Sequence, residues 1–135
     1  MLRLSRGVEY AMRGLVYFAS QPQERVIPLS EISESECIPK SFLVKIFQVL
    51  LKRGIVKSVR GLDGGFILAK SPRDISLLDI IEGIDGPLSA FYDCHSDNCK
   101  KNDSEICPIH NAYKEGVDKL SDVLRNHNIE EIARA

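Results

Sequence analysis

The sequence predicts a mainly α-helical protein with one small β-hairpin. Two observations lead there. Along most of the 135 residues, apolar side chains recur at intervals of three and four, the period of one helix face. The exception is residues 55–70, where IVKSVR and FILAK flank the glycine-rich break GLDGG. Two short runs of β-branched and aromatic residues around such a break read as a hairpin. A hydrophobic content of 44% suits one compact domain, or one domain with an appendage.

Residues 7–20, GVEYAMRGLVYFAS, place Val8, Met12, Leu15, Val16 and Ala19 at helical spacing. Gln21, Pro22 and Gln23 stop that helix. Val26 and Ile27 suit a short strand, and LSEISES, with Leu29 and Ile32 three apart, a short helix. Glu36, Cys37 and Ile38 form a tight connection, in which Cys37 is expected as a small, partly buried residue. Pro39 fits the first turn of the next helix, where its missing N–H costs nothing.

That helix, PKSFLVKIFQVLLKRG, is the clearest in the chain. Phe42, Leu43, Ile46, Phe47 and Leu50 form one apolar face, and Lys40, Ser41, Val44, Lys45 and Gln48 lie away from it. Gly54 ends it. After the hairpin, SLLDIIEGI opens with Ser76 and Asp79 as a capping box. The chain closes on PIHNAYKEGVDKLSDVLRNHNIEEIARA, read as a final long helix. Its stripe of Ile109, Ala112, Tyr113, Val117, Leu120, Val123 and Leu124 suits packing on its own domain or on a second copy.

Helix, short helix, tight turn, amphipathic helix and hairpin is the order of a winged helix-turn-helix, here residues 1–73. Residues 74–135 hold a cysteine-bearing loop and the closing helix. A major groove admits one α-helix, and the second helix of this motif presents its polar face there. Lys40, Ser41, Lys45 and Gln48 are the side chains on offer. A wing tip with Gly61, Gly64 and Gly65 lets backbone approach a phosphate. Arg60 at its base suits a narrow minor groove, whose negative potential attracts a guanidinium.

The formal net charge of −1 conceals a division. Residues 1–73 carry 12 basic and 6 acidic side chains, a balance of +6, while residues 74–135 carry 6 and 13, a balance of −7. A basic front half suits a polyanion. Winged helices also serve as protein-interaction modules, so a carrier or redox protein using this domain for protein contacts is the alternative. No P-loop, GxSxG or HExxH motif points to an enzyme. No apolar run is long enough to span a bilayer, and MLRLSRGVEYAMRG has no signal-peptide core. The cytoplasm is the expected compartment.

Three of the four cysteines lie in DCHSDNCKKNDSEICPIH, residues 93–110, a polar segment with little to bury. Their spacing is Cys94-x4-Cys99-x7-Cys107-x2-His110. In a reducing compartment such clusters more often bind metal or sense redox state than form disulfides. Three cysteines and a histidine satisfy tetrahedral zinc, although zinc favours CxxC pairs. The residues alone leave zinc, an iron–sulfur cluster and a metal-free thiol switch open.

LRLSRGVEYAMRGL, IPLSEISESECIPKSFLVKIFQVLLKRGIVKSVRGLDGGFILAK and ISLLDIIEGIDGP closely resemble a family of bacterial winged-helix regulators, the IscR/NsrR family. The wing, SVRGLDGGFILAKSP, is the most specific part. The resemblance implies a homodimer on palindromic double-stranded promoter DNA. It also implies a cluster on Cys94, Cys99 and Cys107, with [2Fe–2S] favoured over [4Fe–4S]. An expected fourth ligand is His110, favoured over Glu9, which aligns with an acidic ligand that some members donate from the partner subunit. His95 is expected as an exposed neighbour. Where related recognition helices carry a glutamate, this chain has Val44. Cluster status would then set DNA affinity in response to iron, nitric oxide or redox stress.

Overall fold

The computed structural model describes residues 3–92 and 107–135, with the side chains of Phe91 and Tyr92 excepted. Of the cysteine segment, only Cys107 to His110 fall within the described residues.

Helix α1 spans Arg6–Ala19, with Ser5 as its cap accepting from the Val8 N–H at 3.2 Å. Helix α2 spans Leu29–Glu36 and α3 Lys40–Lys52. Strands β1, Val56–Val59, and β2, Gly65–Leu68, pair antiparallel with Val56 opposite Leu68 and Val59 opposite Gly65. Ile27 extends this hairpin by one residue, exchanging two 2.9 Å backbone hydrogen bonds with Phe66. The short strand expected at Val26 and Ile27 is therefore a single bridge. Helix α4, Leu77–Asp85, opens with the expected capping box: Ser76 and Asp79 exchange bonds of 3.0 and 3.1 Å. Helix α5 spans Pro108–Arg125 and α6 Ile129–Arg134.

The apolar face of α3 buries Leu43, Ile46, Phe47 and Leu50 as expected. Phe42 is displaced from it: the ring sits at the helix margin, 37% exposed, edge-on to Tyr10 at 5.3 Å. Phe47 is the centre of the core, with ring centroids 5.9 Å from Phe18 and 5.2 Å from Phe66. Gly14 lets α1 cross directly over it, since a Cβ there would lie 3.2 Å from the Phe47 ring. That crossing rotates the buried stripe of α1 away from the spacing-based one. Val8 and Leu15 are buried as expected, but Ala11, Gly14 and Phe18 join them, while Met12, Val16 and Ala19 are half-buried. Pro39 precedes α3 as its cap residue rather than lying in the first turn.

The closing helix is two helices. Asn126 to Asn128 break it, and Asn128 caps α6 by accepting from the Glu131 N–H at 2.9 Å. The break is tied down by backbone bonds from Leu77 N–H to the His127 carbonyl, 2.9 Å, and from Ile129 N–H to the Ile75 carbonyl, 3.0 Å. Ile129 is fully buried and, with Ile75 and Ile80, joins the core formed by α1 and α3. Residues from both halves of the chain thus share one core.

A second, smaller cluster holds Val8, Leu78, Ile81 and Leu88, against which Val117, Leu120 and Leu124 of α5 lean. No residue of the 18-residue α5 is itself buried.

Candidate nucleic-acid interface and cluster segment

The outer face of α3 carries Lys40, Ser41, Val44, Lys45 and Gln48, all exposed. The helix contains no acidic residue. Its N-terminus adds the positive end of the helix dipole, which favours a phosphate. This is the geometry of a recognition helix: apolar stripe inward on Phe47, cations and hydrogen-bonding groups outward.

The connection that aims α3 is held from two sides. Arg13, reaching across from α1, donates to the Glu36 backbone carbonyl and lies 3.4 Å from the Glu36 carboxylate. Ser33 Oγ donates to the Ile38 carbonyl at 2.6 Å, while the Ile38 N–H donates to the Ser33 carbonyl at 3.1 Å. Between them Cys37 adopts a left-handed conformation, φ 54° and ψ 45°, and is exposed rather than partly buried. The turn leaves its side chain no core to enter.

The wing places Arg60 and Gly61 at an exposed tip, closed by the Gly64 N–H donating to the Gly61 carbonyl at 3.1 Å. Gly64 and Gly65 answer an internal need. A Cβ on Gly64 would lie 2.7 Å from the Val59 carbonyl oxygen, and one on Gly65 would overlap the Ile27 carbonyl. Gly61, at φ +127° with open space around it, is the tip glycine with room for another molecule.

A network missed by periodicity anchors α2. Glu31 accepts from Arg25 at 2.5 and 2.9 Å and from Tyr17 Oη at 2.6 Å. The Arg25 bonds, then the Tyr17 bond, hold the Glu31 carboxyl below its ordinary value, and the bond to Glu31 pushes the Tyr17 hydroxyl up. A positively charged residue six positions before a glutamate has no helical register, so local spacing carried no signal of the pair.

Of the expected cluster ligands, Cys94 and Cys99 lie outside the described residues, as does His95. Cys107 is the half-buried cap residue of α5, and the Asn111 N–H donates to its carbonyl at 3.0 Å. His110, also half-buried, is the third residue of the helix, within its first turn. Sulfur and imidazole nitrogen are both donors that zinc and iron–sulfur sites accept. Glu9 is exposed on α1, 3.8 Å from Arg13.

A buried-face helix with an outward cationic side, a clamped turn before it and a hairpin behind it define a winged-helix DNA-binding regulator. The chain belongs to the Rrf2 family, described as iron-dependent transcriptional regulators, whose profile matches residues 4–135. It is 32% identical over 131 residues, 97% of this chain, to the HTH-type transcriptional regulator IscR of Pectobacterium carotovorum, of which it covers 79%. Its fold superposes on CymR, the global cysteine regulator of B. subtilis, with a TM-score of 0.79 and 25% identity over 99% of this chain and 98% of that one. IscR of T. potens gives a TM-score of 0.77 and 26% identity over 98% and 87% of the two chains. The relatives carry the names of transcriptional regulators, and among the described residues no helix is long and apolar enough to cross a membrane.

Proposed function

We propose that this chain is a homodimeric transcriptional regulator whose hold on promoter DNA is set by an iron–sulfur cluster. Residues 1–73 contact DNA. Residues 74–135 carry the sensor and the dimer contact. The observation that carries the reading is α5: the helix capped by Cys107 buries none of its 18 residues and turns Ile109, Tyr113 and Val123 outward at 73, 63 and 55% exposure. Cys107, His110 and an outward apolar face sit on one helix, which supports this reading.

Cys94, Cys99 and Cys107 would hold the cluster, completed by His110 or by Glu9 of the partner subunit. Such a group would supply a redox- and ligand-sensitive bond set. The chain's own residues do the rest. Lys40 and Lys45 neutralise phosphates, Arg60 enters the minor groove, Ser41 and Gln48 reach base edges, and two copies of α3 span successive major grooves about 34 Å apart. A change in α5 packing alters that separation, and a coupling of about 1–3 kcal/mol gives a 5- to 150-fold change in affinity.

The test joins spectroscopy to binding. Anaerobically purified protein should show visible charge-transfer bands with matched iron and acid-labile sulfide. Alanine at Cys94, Cys99 and Cys107 should abolish them, leave the dimer folded and change DNA affinity. Colour lost with affinity unchanged would refute the sensor. A colourless native protein that fails reconstitution would favour a thiol switch, for which exposed Cys37 in the helix-turn-helix connection is the added candidate.

A further inference from the structure

We propose that Leu62, at the tip of the wing, is an apolar minor-groove contact that anchors the wing on DNA. The inference rests on the DNA-binding reading and adds a residue to it. Leu62 is 108% exposed, more than any other large hydrophobic side chain among the described residues. It buries nothing within the fold. Turn tips ordinarily carry small or polar residues, because water surrounds them.

The turn fixes the backbone from which that side chain projects. The β1–β2 register runs to Val59 opposite Gly65, and the Gly61–Gly64 hydrogen bond closes the turn directly beyond it. Leu62 is thereby fixed two residues from Arg60. Charge explains why an apolar group is wanted. The tip carries one exposed cation, Arg60, and one exposed anion, Asp63, so its formal charges sum to zero. Burial of a leucine against sugar walls and base steps supplies attraction that charge does not, as apolar wedges do in other minor-groove proteins. Arg60 then reads the groove's negative potential beside it.

The experiment uses the full 135-residue chain and a duplex that the wild-type protein itself selects from a random-sequence pool. Affinity is measured by fluorescence anisotropy over a range of salt concentrations, with hydroxyl-radical footprints for minor-groove sugars. Leu62→Ala should weaken binding about five- to tenfold, the effect of losing part of a leucine's burial. The slope of log affinity on log salt should not change, and sugar protection beneath the wing should fade. Arg60→Ala should instead flatten the slope by about 1. The thermal midpoint of Leu62→Ala should match wild type, since the side chain packs on nothing. Wild-type affinity for Leu62→Ala, or a flattened salt slope, overturns the proposal while leaving DNA binding intact. Failure of the wild type to enrich any duplex overturns the DNA reading and this contact with it.

Discussion

Arg13 of α1 grips Glu36, the last residue of α2, by both its main-chain carbonyl and its carboxylate. One side chain thus fastens the first helix to the corner from which the recognition helix departs. The same guanidinium lies 3.8 Å from Glu9, the proposed partner-subunit ligand. Arg13 thus stands between Glu9 and the corner from which α3 departs.

Arg13→Ala should lower stability by about 1–2 kcal/mol, since a charge-assisted bond contributes about 1.5–3 kcal/mol and partial exposure screens it. DNA affinity should fall further than stability does, because the freed corner lets α3 tilt. Glu36→Gln should be milder, for its carbonyl still accepts from Arg13. Urea unfolding set against anisotropy titrations separates the two effects. Unchanged DNA affinity with stability lowered would mean that Arg13 serves stability alone.

Ile129→Ala should cost about 2–5 kcal/mol, the range for emptying a fully buried aliphatic site. A short terminal helix that merely decorated the surface would lose almost nothing. Chemical denaturation gives the number, and a single cooperative transition in the variant would show that α6 belongs to the same folding unit as α3.

Glu31 gives stability a signed pH dependence. Its folded-state value lies below the ordinary 4.5, because Arg25 and Tyr17 donate to the carboxylate. The folded state therefore binds the proton less readily than the unfolded chain. The stabilisation is complete above 4.5 and disappears as pH falls through the folded value. Glu31→Gln should be less stable than wild type at neutral pH, with the gap narrowing on acidification below 4.5. Denaturation midpoints across that range measure it, and a gap independent of pH would assign the loss to packing.

Glutamate at Tyr113 and Val123, both exposed on α5, should leave the fold of one copy unchanged and disperse the proposed dimer. Light scattering coupled to size-exclusion chromatography reads the mass, and circular dichroism checks the helices. A double variant with wild-type mass would move the dimer contact elsewhere.

Much of the fold was legible because helices and hairpins are written in local spacing. Phe47 and Leu50 keep the period of α3, and the Ser76–Asp79 capping box is a three-residue pattern. The misplacements have one cause. Met12 and Val16 look as apolar as Ala11 and Gly14, but only the crossing of α1 over Phe47 requires small residues at the contact. The closing segment reads as one helix on a stripe that ends at Leu124, although four polar residues, 125–128, interrupt the apolar spacing before Ile129. The bonds that reverse the chain come from Ile75 and Leu77, some fifty residues away.

The sequence alone determined the order of elements, the outward set Lys40, Ser41, Lys45 and Gln48, and the wing that follows. Each rests on neighbours within one turn or one hairpin. Only the tertiary structure decided that Arg13 clamps Glu36, that Arg25 and Tyr17 share Glu31, and that Ile129 enters the core of the front half. Such pairs depend on how helices cross, and crossing is set by the packing of the whole core rather than by any local period.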